Sequence, residues 1–355
     1  MSDIAVEISR HWDVGSFVSE LSNVKGAPSK MSFWDYFVHN AEIHERSIAT
    51  VQSVLEQLRD VDQYMTVEAP LDWDVESMPL QEIMVAEILA KILVYYDVDG
   101  REINIPVKQD GVVEMVKYKV EKVSFLNSSL YFYGLIPIDN HKANPMVIFP
   151  GTQLYPSAGM CMVESLMADF CAQGIGWEQF MESGQGKVAV EKWLSENCME
   201  KSAVVMGHSL GAAFAAYTAA NIHQFVKKVI NFAAPGVNKT TYRQLQALGE
   251  SLPIFSFNAV GDPITLAGQH YFGKFFEIQR RKPTQGIMDT HGSCHLLERF
   301  HLVQRDVKHL KTPRSYQVAA KVHEYGIYAL QLGLAYFVPG FATLYLCASL
   351  SPYLP

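Results

Sequence analysis

The spacing of hydrophobic positions changes along the chain, and each change predicts a different kind of element. In SFWDYFVHNAEIHERSIATVQSVLEQLRD (32–60), Phe33, Phe37, Ile43, Ile48, Val51, Val54, Leu55 and Leu58 recur at helical intervals. That spacing draws one apolar stripe on a helix, with Ser32 as its N-cap. A second helix is expected in SMPLQEIMVAEILAKILVYY (77–96), capped by Ser77 and carrying Pro79 in its first turn, where the missing N–H costs nothing. The two read as a helical hairpin that packs on, or lids, the remainder of the chain.

Near residue 100 the period drops to two. REINIPV (101–107) and VVEMVKYKV (112–120) alternate apolar and polar residues, and the intervening KQDG holds an Asp-Gly hairpin signal. KVSFLNSSLYFYGLIPI (122–138) reads as two more strands around Asn127, Ser128 and Ser129. This is an antiparallel opening. DVDG (97–100) resembles the start of a calcium loop, but it lacks the third acidic position and the distal glutamate, so a turn is expected.

From residue 144 onward, short apolar runs alternate with helical stretches. PMVIFPG, SAVVMG, VKKVINFAAPG, LPIFSFNAVGDP and KFFEIQR read as strands. Helices are expected around 160–171, in GKVAVEKWLSENC (186–198) and in SLGAAFAAYTAANIHQF (209–225). Such alternation predicts an α/β fold, with a mainly parallel sheet covered by helices on both faces. The expected organisation is a helical extension over 1–96, an α/β domain over 97–324 and an apolar tail over 325–355.

The tail carries no charged residue and is long enough to span a bilayer. Lys308, Lys311, Arg314 and Lys321 precede it, a basic flank suited to a cytoplasmic-side anchor. Pro339-Gly340 divides it into two pieces, each too short to span alone. Contact with a membrane surface and burial as two helices on the main domain both remain open.

Composition narrows the class. The chain has 355 residues, 49% of them hydrophobic and 19% charged, which provides for a large core and excludes global disorder. Its net charge of -8 is not gathered into any long single-sign block, so no nucleic-acid partner is expected. The five cysteines, Cys161, Cys171, Cys198, Cys294 and Cys347, form neither a disulfide framework nor a CxxC zinc pattern. Reducing surroundings are the simplest reading. The N-terminus lacks a basic start with an apolar core, so no Sec signal peptide is expected and the location reads as cytoplasmic or membrane-associated.

The chemistry concentrates in VVMGHSLGAAFAAYTAA (204–220), where Gly-x-Ser-x-Gly stands between a strand and a helix. That is the pattern of a nucleophile elbow in an α/β-hydrolase fold. The turn is tight enough that side chains at Gly207 and Gly211 would collide with the neighbouring strand and helix. Ser209 then stands at the carboxyl edge of the sheet, facing the positive end of the following helix. A neutral hydroxyl needs a base, and the base needs an orienting carboxylate; in this fold the chain order is serine, acid, histidine. Asp262 in FNAVGDPIT fits the acid station just past an apolar strand. His291, placed near a helix start behind Thr290, is the first choice for the base, and His295, one turn on, is the second. His208 is expected to face away from the pocket. For the oxyanion, the donors expected are the N–H of Leu210 and a group from Gly151-Thr152, in the loop after an earlier strand. Met160, Met162, Met206 and Phe232 are candidates for an acyl-chain wall or for core.

At these residues the chain resembles the class 3, fungal-type lipases of the α/β-hydrolases. FPGTQ is similar to that family's oxyanion segment, with a proline where an arginine is usual. The stretch 204–219 resembles its elbow down to His-Ser-Leu-Gly-Ala, VINFAAPGVN its following strand end, and FNAVGDPIT its acid station. The resemblance runs from about 145 to 302. It implies a carboxylic ester hydrolase acting on acyl lipids, with Ser209, Asp262 and His291 as triad, Thr152 and Leu210 as oxyanion donors, and no metal or organic cofactor. A lipid acyltransferase, or a membrane-associated binding protein of the same fold without the chemistry, are the alternatives.

Overall fold

The computed structural model describes residues 3–8, 40–68, 79–140, 142–153, 164–165, 168–169, 174–182, 184–262, 264–266, 270–280, 287–292, 294–297 and 300–305. The expectations for Ser32, Ser77, Met160, Met162 and the 325–355 tail lie outside the described residues. No helix among the described residues is long and apolar enough to cross a membrane.

Among the described residues, eleven strands form one sheet. They are β1 (Asp3–Ile8), β2 (Met65–Glu68), β3 (Glu102–Gln109), β4 (Val112–Ser124), β5 (Tyr131–Pro137), β6 (Met146–Phe149), β7 (Ala203–His208), β8 (Val226–Phe232), β9 (Ile254–Ala259), β10 (Lys274–Arg280) and β11 (Phe300–Arg305). Their spatial order is β2-β1-β11-β10-β9-β8-β7-β6-β5-β4-β3. The hairpin expected at KQDG joins β3 to β4, with Asp110 and Gly111 both at positive φ (50° and 82°) as a tight primed turn requires.

The sheet is mixed rather than mainly parallel. Only β6 to β10 run parallel, while the strands at either flank pair antiparallel. Three strands at one end of the sheet escape the periodicity reading. β1 and β2 lie in the region expected to be helical, and β11 lies beyond the last strand expected; each is only four to six residues long.

The five parallel strands lie side by side in sequence order. Right-handed crossovers that always step the same way must pass over one face. That face carries α3 (Gln185–Asn197), α4 (Leu210–Asn221) and α5 (Lys239–Leu248), with α4 packed on β6, β7 and β8. The opposite face is covered by α2 (Leu80–Lys91), which packs on the same three strands, while α1 (Asn40–Leu58) packs on β3. The side chains of β7 divide between the two layers as the two-residue strand period demands. Val204 and Met206 share a cavity wall with Val85, Ala86 and Leu89 of α2, whereas a Cβ on Gly207 would meet the backbone of α4.

The helix α2 is buried nearly all round, and its core is continuous with that of the parallel strands. Pro79 is its N-cap, one position before the first turn in which it was expected. Met206 and Phe232 are core residues on the α2 side; Lys91 Nζ stands 5.6 Å from the Phe232 ring centroid.

Candidate active site

Ser209 sits between the end of β7 and the start of α4, with φ 57° and ψ −124°. Few non-glycine residues tolerate that backbone region, and it persists only where the surroundings fix it. Here the fixing is local: the Ser209 N–H donates to the Phe232 carbonyl at 3.1 Å, tying the elbow to β8. The flanking glycines leave no room for alternatives. A Cβ on Gly207 would lie 2.2 Å from the Gly211 carbonyl oxygen, and one on Gly211 would lie 2.2 Å from the Phe149 carbonyl oxygen. Both obstacles are backbone, so neither can swing aside.

Asp262 follows the turn at Val260-Gly261 after β9, and its side chain is fully buried. One of its oxygens, Oδ1, accepts the Ile264 N–H at 2.9 Å, which sets the carboxylate plane. His291 Nδ1 faces both oxygens, at 3.1 Å from Oδ1 and 2.9 Å from Oδ2. A carboxylate only accepts, so Nδ1 carries the proton and Nε2 holds the lone pair that a base needs. His291 lies in the last turn of the short helix α6 (Ile287–Gly292), not at a helix start. No hydrogen bond joins Ser209 Oγ to His291 among the described residues. Catalytic bonds of this kind are commonly long in resting sites and tighten around substrate.

His295, the second choice for the base, does different work. It is fully buried, and its Nε2 donates to the Thr290 carbonyl at 2.7 Å, bracing the segment that bears His291. The backbone N–H groups of His295 and Leu296 are gripped by Glu87 Oε1 and Oε2, each at 2.9 Å. Glu87 belongs to α2, is wholly buried, and pairs with Lys91 Nζ at 2.9 Å. Burial alone would push its carboxyl up. Lys91, His295 and the hydrogen bonds outweigh that and hold it below the usual glutamate value.

The candidate oxyanion loop, Gly151-Thr152-Gln153, is held at every residue. The Gly151 N–H donates to the Tyr95 hydroxyl at 3.0 Å. The Gln153 N–H donates to Ser165 Oγ at 3.0 Å. Thr152 Oγ1 donates to Asp169 Oδ2 at 2.6 Å. Burial pushes the Asp169 carboxyl up to about 7, against the opposing effect of the Thr152 hydrogen bond. On the other side, Leu210 opens α4, so its N–H belongs to the first turn, which has no intrahelical acceptor. Asn258 on β9 accepts the Ala234 N–H at 3.0 Å just past β8, which joins the ends of those two strands.

His208 is buried beside this array, and its ring lies against that of His291 with centroids 4.7 Å apart. Sequence reasoning assigned no role to Tyr95, Asp169 or Glu87, and turned His208 away from the pocket. The contacts that tie these four residues to the site span 17 or more residues, so no local pattern marks them.

The family model described as lipase (class 3) matches residues 148–270. The match contains Thr152, Ser209, Leu210 and Asp262, and stops short of His291 and of the N-terminal helices. No curated protein sequence matches the chain. Among solved structures, a chain described under "Structural and Mechanistic Analysis of Two Prolyl Endopeptidases: Role of Inter-Domain Dynamics in Catalysis and Specificity" is similar at 9% identity, with a TM-score of 0.28. That likeness covers 64% of this chain and 42% of the other, so this chain spans less than half of its length, and a likeness this low carries no argument.

Proposed function

We propose that the chain, which matches the class 3 lipase family model over residues 148–270, is a serine hydrolase cleaving carboxylic esters of acyl lipids through an acyl-enzyme. The family supports lipase-like ester hydrolysis in general; the residue roles and the lipid substrate are our reading. We take residues 97–324 to carry all the reacting groups, with 1–96 contributing β1 and β2 to the same sheet and α1 and α2 to its cover.

In this reading Ser209 Oγ attacks the ester carbonyl carbon while His291 Nε2 takes its proton. The carbonyl oxygen becomes an oxyanion and accepts the N–H groups of Thr152 and Leu210. Asp262 holds the His291 tautomer and stabilises the imidazolium that forms. The imidazolium then gives its proton to the leaving alcohol oxygen as the old C–O bond breaks. Water, deprotonated by His291, releases the acid from Ser209. The steps use no metal or organic cofactor.

The observation that supports this most strongly is the Asp262–His291 pair standing beside a strained serine elbow. The test is a substrate screen of the full chain and Ser209→Ala on triacylglycerol, phospholipid and a short p-nitrophenyl ester. At least one class should be turned over, with the variant at background. Equal turnover by the variant overturns the reading. Repeating the assay with added alcohol separates hydrolysis from acyl transfer by the product formed.

A further inference from the structure

Tyr95 lies at the end of the 3-10 turn after α2, outside the lipase-like segment, yet its hydroxyl touches two of that segment's stations. It accepts the Gly151 N–H at 3.0 Å and lies 3.3 Å from His208 Nδ1. His208 Nε2 in turn lies 2.9 Å from the His291 backbone carbonyl oxygen. We propose that Tyr95 and His208 are positioning residues that lock the oxyanion loop and the base-bearing helix into one register. The inference rests on the serine hydrolase reading.

The proton positions are set by the acceptors. A carbonyl oxygen can only accept, so His208 Nε2 carries a proton and donates to His291. The Tyr95 oxygen accepts the Gly151 N–H and stands within hydrogen-bond distance of His208 Nδ1, so one hydroxyl touches both the oxyanion loop and the ring that holds the His291 carbonyl. Burial raises the Tyr95 hydroxyl well above the usual tyrosine range, so it stays protonated. The His291 ring lies 4.7 Å from that of His208, so a shift of His208 displaces the base with it.

The anchor is itself held. Tyr131 and Tyr133 of β5 donate their hydroxyls to the carbonyls of Val94 and Tyr96, at 3.3 and 2.9 Å, on either side of Tyr95. Gly151 is fitted to it, since a Cβ there would stand 2.6 Å from the Tyr95 oxygen. With the Gly151 N–H taken by Tyr95, the next N–H along the loop, that of Thr152, is the one left to face an oxyanion.

The test compares Tyr95→Phe, His208→Gln and His208→Leu in the full chain on a short p-nitrophenyl ester, with Ser209→Ala alongside and melting temperatures measured for all. Tyr95→Phe is expected to lower kcat about a hundredfold with KM within about twofold, the signature of misplaced groups rather than lost binding. His208→Gln keeps an N–H able to reach the His291 carbonyl and is expected to retain at least about ten times the kcat of His208→Leu. Where Tyr95→Phe also melts early, the two His208 variants decide, compared at a temperature where both are folded. A wild-type kcat in folded Tyr95→Phe, or equal kcat in the two His208 variants, overturns the inference and leaves the hydrolase reading standing. Turnover by Ser209→Ala overturns that reading, and the inference with it.

Discussion

Asp262 holds His291 by one ring nitrogen with two oxygens, at 2.9 and 3.1 Å from Nδ1. The side chain of Asp262 is fully buried and that of His291 only 12% exposed, so the pair works out of water. The arrangement fixes which nitrogen can act as a base.

Asp262→Asn keeps the shape but offers the imidazole an amide that can also donate, which permits the wrong tautomer. The expected result is a kcat lower by about 10⁴ with a melting temperature near that of the parent chain. Steady-state kinetics on a short ester, with thermal melts of both proteins, check it.

Gly211→Ala puts a methyl 2.2 Å from the Phe149 carbonyl oxygen, and β6 cannot retreat without breaking its ladder with β7. A cost of about 3 kcal/mol or more is expected, at the upper end of overpacking effects. Denaturant midpoints measure it. Glycine is needed here for the close approach of two backbones, independently of catalysis.

Glu87→Ala removes one half of a buried ion pair and leaves Lys91 and the His295 and Leu296 N–H groups without that carboxylate. Breaking a pair of this kind costs about 3–5 kcal/mol, whereas replacing both charges by apolar residues of similar volume is far milder. Chemical denaturation of Glu87→Ala and of the double variant Glu87→Leu, Lys91→Met should therefore order them single below double.

Asp169 gives a stability profile with an unusual sign. Its carboxyl is raised to about 7 in the folded protein against an ordinary value near 3.8. Between those two values the folded chain binds more protons than the unfolded one, so stability falls as pH rises through that window. Asp169→Asn still offers Thr152 an acceptor oxygen but cannot ionise. Melting temperatures from pH 4 to 8 should fall more steeply for the parent chain than for the variant.

How much of the fold and site was legible in the sequence depends on how local each signal is. The elbow was readable because Gly207, Ser209 and Gly211 act on one another within a few residues and a strand and helix flank them. The place of Asp262 just past a strand was readable from the apolar run before it. The hairpin at Asp110-Gly111 was readable from its turn chemistry. The flanking strands were not: Asp3–Ile8 and Met65–Glu68 are short segments whose pairing partners lie up to three hundred residues away. Nor was the role of α2, since nothing nearby tells Tyr95 from Tyr96, or marks Glu87 as the clamp for a loop 208 residues on. The sequence puts His291 before His295 without showing their separate roles, because only tertiary contacts distinguish the histidine facing Asp262 from the one facing Thr290.

The most direct test of the central claim is covalent. A serine-directed fluorophosphonate, added to the full chain and located by peptide mass spectrometry, reads which hydroxyl is activated. The account predicts one adduct, on Ser209, formed at least about a hundredfold more slowly in His291→Ala. Failure of Ser209 to react, or labelling at the same rate without His291, contradicts it.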